Sequence, residues 1–387
     1  MGNRKNIKAA TKSGATRREF LTTAGGALLA LSAAQLADLG ALFRVRGARA
    51  AEFKGTKSVS VGIMTPSHCA APYVYADIKG FYEKNGLKAD IVLYPGMTEI
   101  AKDLIAGRIQ FGQLMLPLFL AIHCKAGAFK ESGVPMVTTQ ATGIKGGAIT
   151  VRKDCQIQNV DDLAGKKVGS HSPLSAHYLL LQMFIRKNIA LKSPIDVKIV
   201  PLEDMVPSLT RGDIDAFIMP EPVNAVAAIK GNGRVIFMTS KLWANHPCCM
   251  LSTTGAFAEG NPGTVRAMSL SLAEAGLFAD KAENRAAFID TIAASPGYAK
   301  VPRPVLNLAL EAGRADFFPF PYKSSARVVG DFMKTLKMLP ESVTAAQIVA
   351  GIDPTYVREA LKAAGMDASL PDYRVERVLG EDLKYEG

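Results

Sequence analysis

One segment of the chain recurs about a hundred residues later, and this internal repeat constrains the fold strongly. Residues 104–111 read Leu-Ile-Ala-Gly-Arg-Ile-Gln-Phe, and residues 209–217 read Leu-Thr-Arg-Gly-Asp-Ile-Asp-Ala-Phe. In both copies a glycine stands where a helix would end in a left-handed turn, and a short apolar strand follows. A Met/Pro turn continues each copy, at residues 115–117 and 219–222. The repeat predicts two similar α/β units, with chance recurrence of a common turn as the alternative.

Short β-like runs alternate with helical periods, which is typical of layered α/β structure with mostly parallel strands. The pattern becomes almost entirely helical from about Asn261 to Ala364, and the tail at residues 366–387 is polar without a clear period. The predicted strands are residues 58–63, 89–93, 136–139, 148–151, 166–169, 197–200, 216–218 and 235–238, and the main predicted helices are residues 72–85, 99–106, 174–187 and 221–229.

The charge of the chain is concentrated at its beginning. The chain has 387 residues, 48% of them hydrophobic, which leaves room for two cores, and a net charge of +11. Nine of the 46 lysines and arginines lie in the first 50 residues, with only two of the 35 acidic residues. The rest is only mildly basic and has no basic run with interleaved aromatics, so no nucleic-acid partner is expected.

The first 50 residues have the pattern of an export signal. Thr16-Arg17-Arg18-Glu19-Phe20-Leu21 is followed by a Gly/Ala/Leu stretch from Thr22 to Ala37. This arrangement is similar to a twin-arginine signal, and the stretch is shorter than a membrane span. Small residues at Ala48 and Ala50 predict cleavage near Ala50 and a periplasmic mature protein.

The five cysteines, an odd number without a Cys-x-x-Cys pair, predict buried free thiols rather than a disulfide framework. A sharper alternative is a soft-metal site, because imidazole and thiolate suit copper or zinc. The spacing matches no standard zinc pattern, so no metal is the expectation. The groups that would have to converge are His68-Cys69, His123-Cys124 and His246-Pro247-Cys248-Cys249.

Several motifs in sequence order resemble one known superfamily. Residues 65–75, Thr-Pro-Ser-His-Cys-Ala-Ala-Pro-Tyr-Val-Tyr, lead into residues 79–87, Lys-Gly-Phe-Tyr-Glu-Lys-Asn-Gly-Leu. This start is similar to type II periplasmic binding proteins of ABC transporters. The motifs that resemble the nitrate/bicarbonate-binding branch (nitrate/sulfonate/taurine-like) are residues 147–151, 170–172, 221–224, 243–247 and 353–360. The likeness runs from about Lys57 to Gly365.

The resemblance implies an α/β fold of the periplasmic-binding-protein type II, with two α/β lobes, a ligand cleft between them and a helical C-terminal region. Lobe 1 would comprise residues 57–147 and return as residues 251–365, and lobe 2 would comprise residues 148–250. Crossings are expected near residues 148–150 and 250–252. The implied function is capture of a small anionic or polar ligand by lobe closure, for an ABC permease and ATPase. The expected protein is a monomer, has no cofactor and is not an enzyme.

The candidate ligand-binding residues of lobe 1 follow its strands. Thr65, His68 and Cys69 come after the first predicted strand, where a hydroxyl and an imidazole can donate to an anion, although His68 could simply cap the next helix. Gln113 lies in the strand of the first repeat copy. Lys145 stands between glycines and could swing towards an anion, or be an ordinary loop lysine.

The remaining candidates are Gly147, at the end of the first part of lobe 1, and His171, Ser172 and Glu221 of lobe 2. His171 and Ser172 lie between a strand and a helix, where backbone N–H groups favour negative charge. The resemblance implies that Glu221 lines the cleft or contacts the hinge, and its alternative role is a carboxylate at a helix start. Our hypothesis is a ligand clamped between His68 and the pair His171 and Ser172. Anion affinity would then fall as pH rises through the histidine pKa.

Three departures from the branch put nitrate itself in doubt. Gly147 stands where nitrate binders carry glutamine, Val223 where they carry tryptophan, and Cys248-Cys249 where they carry Glu-Lys. A larger or more apolar ligand is therefore open. A thiamine-pyrimidine synthase-like enzyme and a sensor-associated binding protein of the same fold remain alternatives. The enzyme would need a lysine poised for pyridoxal phosphate, and none is evident near His68.

Overall fold

The structure, a computed structural model, describes residues 53–187 and 193–386. The predicted export signal, residues 1–50 with its cleavage position, lies outside these ranges. None of the helices within them is both long enough and apolar enough to cross a membrane.

Strands and helices alternate through the first two thirds of the described chain. The strands are β1 (Ser58–Ile63), β2 (Lys88–Leu93), β3 (Phe111–Met115), β4 (Met136–Lys145), β5 (Gly147–Arg152), β6 (Lys167–Ser170), β7 (Asp196–Ile199), β8 (Ala216–Pro220), β9 (Gly233–Met238), β10 (Pro247–Thr254), β11 (Ala315–Asp316), β12 (Glu376–Val378) and β13 (Glu381–Leu383). The α-helices are α1 (Ala71–Ile78), α2 (Phe81–Lys84), α3 (Met97–Ile105), α4 (Leu116–His123), α5 (Ala176–Lys187), α6 (Met205–Arg211), α7 (Val223–Ile229), α8 (Gly255–Gly260), α9 (Pro262–Asp280), α10 (Arg285–Ala293), α11 (Arg303–Ala309), α12 (Lys323–Thr335), α13 (Ala345–Val349) and α14 (Thr355–Ala363).

Two sheets share one pairing scheme. The first has the strand order β11-β4-β10-β3-β1-β2, and the second has the order β7-β6-β8-β5-β9. In the first, β1 is parallel to β2 and β3, while β10 is antiparallel to β3 and β4. In the second, β6 is parallel to β7 and β8, while β5 is antiparallel to β8 and β9. Most strands of each sheet therefore run in one direction, as predicted, but both sheets are mixed, because β10 and β11 in the first and β5 in the second run the opposite way.

The two repeat copies occupy equivalent positions in these sheets. α3 is followed by Gly107 with φ 72°, and α6 is capped by Gly212 with φ 81°. The strands that follow, β3 and β8, each lie between a parallel and an antiparallel neighbour. All five residues of β3 and all five of β8 are buried. The prediction of two similar α/β units is confirmed.

The chain passes between the sheets twice. It leaves the first sheet at Lys145 and enters the second at Gly147, so that Gly146 alone separates β4 from β5. It returns through residues 239–246, between β9 and β10. The expected crossings therefore lie a few residues too late, since residues 148–150 belong to β5 and residues 250–252 lie within β10.

The C-terminal part covers the first sheet and the second crossing. Helices dominate from Pro262 to Ala363, as predicted, and α9 packs against α1 and α14. The polar tail contains the hairpin of β12 and β13. Its Val378 forms a bridge with Trp243 of the returning segment. The hairpin has no helical or long apolar period, which explains why the sequence pattern did not indicate it.

Candidate functional site

A cleft of ≈ 370 Å³ lies between the two sheets, and its walls are mostly apolar. The turns that follow β1, β2, β6 and β7 meet here, together with the end of β3 and the helix that begins after it. The wall of the first sheet includes Met64, Met97, Met115, Leu118 and Phe129, and the wall of the second includes His171, Ser172, Leu174, Leu202 and Glu203.

His171 and Ser172 are the polar groups at which the prediction and the cleft coincide. The Nδ1 atom of His171 is buried and has no hydrogen-bond partner among the described residues. The Ser172 hydroxyl oxygen accepts from the N–H of Leu174 at 3.2 Å, which leaves its O–H able to donate. The cleft therefore offers two neutral donors beside an apolar wall.

The expected histidine titration does not lie in the neutral range. Burial lowers the pKa of His171 to about 4, and burial likewise lowers the pKa of His68. Both imidazoles are therefore neutral at neutral pH. The predicted fall in anion affinity through the ordinary histidine pKa is corrected accordingly, because charge on these rings is disfavoured by desolvation.

His68 and Cys69 lie behind the cleft rather than in its wall. His68 is 1% exposed. Its backbone N–H donates to the Glu221 carbonyl oxygen at 3.2 Å, and its ring Nδ1 lies 3.3 Å from the same oxygen. Its Nε2 lies 3.2 Å from the Sγ of Cys69. The structure therefore does not place His68 opposite His171 across the open cleft. Thr65 is half-buried and packs beside Gly297.

Gln113 anchors the same buried region. Its Oε1 accepts from the N–H of Met64 at 3.1 Å, and its Nε2 donates to Ser67 at 3.1 Å and to the Sγ of Cys249 at 3.5 Å. Cys248 and Cys249 are 2% and 1% exposed, with their Sγ atoms 3.9 Å apart. Burial raises the pKa of the Cys69 thiol well above its ordinary value.

Glu221 joins the two sheets. Its carboxylate is fully buried and accepts from the Nε of Arg314 at 2.7 Å and from the N–H of Ala225 at 3.0 Å. Arg314 immediately precedes β11 of the first sheet, whereas Glu221 follows β8 of the second. Both predicted roles of Glu221 therefore correspond to an observed contact. The contact with Arg314 joins the two sheets, and the contact with the Ala225 N–H lies at the start of α7. Arg314 was missed, because no local pattern links it to Glu221.

The first crossing is held by charged and polar groups. Lys145, at φ 59°, forms an ion pair of 2.6 Å with Asp316, which also pairs with Arg285. Its ammonium is therefore engaged rather than poised to swing towards a ligand. At the second crossing, the Thr239 hydroxyl donates to the Gly147 carbonyl at 2.8 Å and lies 2.8 Å from His246 Nε2.

The soft-metal alternative is met only in part. His68, Cys69 and Cys248 offer ligand atoms that all lie within 4.8 Å of one another, and Cys249 adjoins them. His123, by contrast, contacts the N–H of Met136 and the carbonyl of Gln347. The pair His123-Cys124 therefore serves the packing of α4, not this cluster.

Solved structures place this architecture in a known class. The periplasmic nitrate-binding protein NrtA from Synechocystis PCC 6803 superposes with a TM-score of 0.75 at 19% identity, covering 86% of this chain and 96% of that chain. The fold is that of type II periplasmic binding proteins. The same fold occurs in an enzyme, the desulfurization enzyme DSZB, with a TM-score of 0.56 and 16% identity, covering 79% of this chain and 99% of that chain.

Residues 53–293 match the NMT1-like family, and the chain belongs to that family. It is 28% identical over 250 residues to the nitrate import ATP-binding protein NrtC of Synechocystis sp., covering 61% of this chain and 37% of that protein. It is 25% identical over 308 residues to the nitrate/nitrite binding protein NrtA of Nostoc sp., covering 70% of this chain and 68% of that protein. The chain spans about a third of the length of the first curated relatives it matches.

Proposed function

We propose that the protein is the extracytoplasmic solute-binding component of an ABC importer and that it captures a small organic anion by closure of its two lobes. The observation that carries this proposal is the cleft between the two mixed sheets, lined from both sides. A ligand that contacts both walls stabilises the closed arrangement, which a permease and its ATPase could then distinguish from the empty one.

The chemistry of the walls supports a ligand with an apolar part and an oxyanion. Three methionines, Met64, Met97 and Met115, face His171 and Ser172 across the cleft. Flexible thioether side chains fit irregular apolar groups, whereas the two neutral donors suit sulfonate or carboxylate oxygens. Nitrate and bicarbonate, the solutes in the names of relatives, have no apolar part to bury. An organic sulfonate or carboxylate therefore fits better than either.

A homologous series of anions tests this proposal by calorimetry on the mature protein. Each methylene buried against the methionine wall contributes about 0.8 kcal/mol, roughly fourfold in affinity. We expect affinity to rise from methanesulfonate to butanesulfonate and to exceed that for nitrate. Nitrate or bicarbonate binding more tightly than every organic anion would contradict the proposed ligand class, and no binding by the whole panel would contradict the importer role.

Variants of the polar end locate the ligand. His171→Ala and Ser172→Ala should each weaken the best ligand of the series about tenfold, because each removes one hydrogen bond to a charged group. Ser342→Ala, at an exposed serine outside the cleft, is the matched control and should bind like the parent. With the pKa of His171 at about 4, affinity should stay constant between pH 6 and 8. A tenfold change over that range would refute the neutral-donor assignment.

A further inference from the structure

A compact group of sulfur and imidazole donors lies beneath the cleft, among residues that the proposed solute-binding role does not use. Cys69 follows β1, and Cys248 and Cys249 begin β10, so two distant segments supply three thiols. All three thiols are at most 2% exposed, and His68 is 1% exposed. None of these four side chains is among those that line the cleft.

The spacing of the donors fits a metal ion. The ligand atoms of His68, Cys69 and Cys248 lie within 4.8 Å of one another. A tetrahedral ion with metal–sulfur bonds of about 2.3 Å holds two sulfurs about 3.8 Å apart. The Sγ atoms of Cys248 and Cys249 are 3.9 Å apart. Irregular register around Cys249 in the β10–β4 pairing interrupts the alternation that would otherwise point successive side chains to opposite faces.

The surroundings orient the donors as they would around a metal. The contact of 3.3 Å between His68 Nδ1 and the Glu221 carbonyl requires a proton on Nδ1, which leaves the lone pair of Nε2 towards Cys69. Gln113 donates to the Sγ of Cys249 at 3.5 Å. Such outer contacts fix the tautomer of a metal-binding histidine and direct thiolate lone pairs.

We propose that His68, Cys69, Cys248 and Cys249 bind one soft metal ion, Zn²⁺ or Cu⁺. Thiolate and imidazole ligands select these ions over hard cations. The thiols that bind the ion lose their protons to solvent. The site goes beyond the proposed solute-binding function and does not depend on it, because its ligands lie in β10 and in the turn between β1 and α1, outside the cleft wall.

Metal analysis of the mature protein, reduced and handled without oxygen, tests the site. We expect about one Zn²⁺ or one Cu⁺ per chain after incubation with either ion and removal of the excess. Co²⁺ used in place of Zn²⁺ should give thiolate-to-metal charge-transfer absorption and intense tetrahedral bands, which report on the ligands of the unaltered protein. Less than a tenth of an equivalent of both ions, with no such absorption, would overturn the proposal.

Substitutions assign the ligands. Cys248→Ser and His68→Gln should weaken metal affinity at least about 100-fold in competition with a chelator, since each removes a direct ligand. Cys155→Ser is the matched control at a half-buried thiol outside the cluster and should retain the parent affinity. Circular dichroism confirms that each variant is folded. Unchanged affinity in both folded ligand variants, or loss in the control alone, would overturn the assignment. Loading is measured without organic anions, so failure of the solute panel leaves this test unaffected.

Discussion

Replacing Arg314 with methionine tests whether one buried ion pair holds the two sheets together. The Glu221 carboxylate is fully buried. The Nη2 atom of Arg314, whose side chain is 14% exposed, lies 2.5 Å from the Oε1 atom of Glu221. Methionine keeps much of the apolar stem of arginine but removes the cation. Loss of Arg314 leaves a buried carboxyl group without a hydrogen-bond partner, which costs about 1–3 kcal/mol, and it also removes the cation that stabilises the ionised form.

The pH dependence of that loss follows from the carboxyl group. Burial raises the pKa of Glu221 to about 7, although Arg314 opposes the shift. An acid with a raised pKa binds more protons in the native state, so its contribution to stability falls as pH rises from about 4.3 in the unfolded chain towards 7. Without Arg314 the pKa rises further and the fall continues above pH 7. At pH 8, about one unit above the parent pKa, this further fall in the free energy of unfolding amounts to about 1.4 kcal/mol. The destabilisation should therefore be larger at pH 8 than at pH 5.5, by up to about 1.4 kcal/mol.

Urea unfolding of the parent and Arg314→Met at both pH values measures these two quantities. Arg266→Met is the matched control, because Arg266 and Glu359 form an ion pair whose side chains are 50% and 42% exposed. Exposed pairs contribute little to stability, and we expect a small loss there that is equal at both pH values. The reasoning is refuted if Arg314→Met is as mild as the control, or if its loss does not grow between pH 5.5 and pH 8.

Two further predictions concern packing and the C-terminal tail. Gly276→Ala in α9 would bring a Cβ atom within 2.8 Å of the Phe317 carbonyl oxygen and should cost about 1–3 kcal/mol in urea unfolding. Gly260→Ala, where nothing lies within 4 Å, should be neutral or slightly stabilising, and equal midpoints for the two variants would contradict this argument. Glu376→Ala removes the acceptor of the Trp243 indole N–H at 2.9 Å, so emission of this single tryptophan should shift to the red. An unchanged emission maximum would show that the tail does not shield the second crossing.

The fold could be predicted well from local patterns, and the pairing of the strands could not. The repeat at residues 104–111 and 209–217 correctly indicated two equivalent helix–strand units. The strand predicted at residues 58–63 has the observed bounds. The antiparallel pairing of β5 and β10 was not indicated, because each enters its sheet from the other one and runs against its parallel strands. A run of apolar residues records burial, but not the sheet that the strand joins.

The candidate site could be predicted from the sequence less completely than the fold, since its contacts join distant segments of the chain. His171 and Ser172 line the cleft, and their position after a strand gave the signal for this. His68-Cys69 and His123-Cys124 are equivalent as dipeptides, yet only the first lies beside Cys248. The difference arises because β1 and β10 lie on either side of β3, whereas His123 ends α4. Local spacing carries no information on that arrangement.

The surroundings of Gly147 at the first crossing explain why this chain differs from the nitrate-binding pattern at that position. In the sequence, Gly147 stands where nitrate binders carry a glutamine, whose amide could contact an anion. A Cβ at this position would lie 2.8 Å from His177 Nε2 and from the Thr239 hydroxyl, so His177 fills the space that a longer side chain would need. Both ring nitrogens of His177 are buried without a partner among the described residues. The absence of the amide therefore follows from groups packed against the crossing, and the polar groups closest to this position are the His177 ring of α5 and the Thr239 hydroxyl.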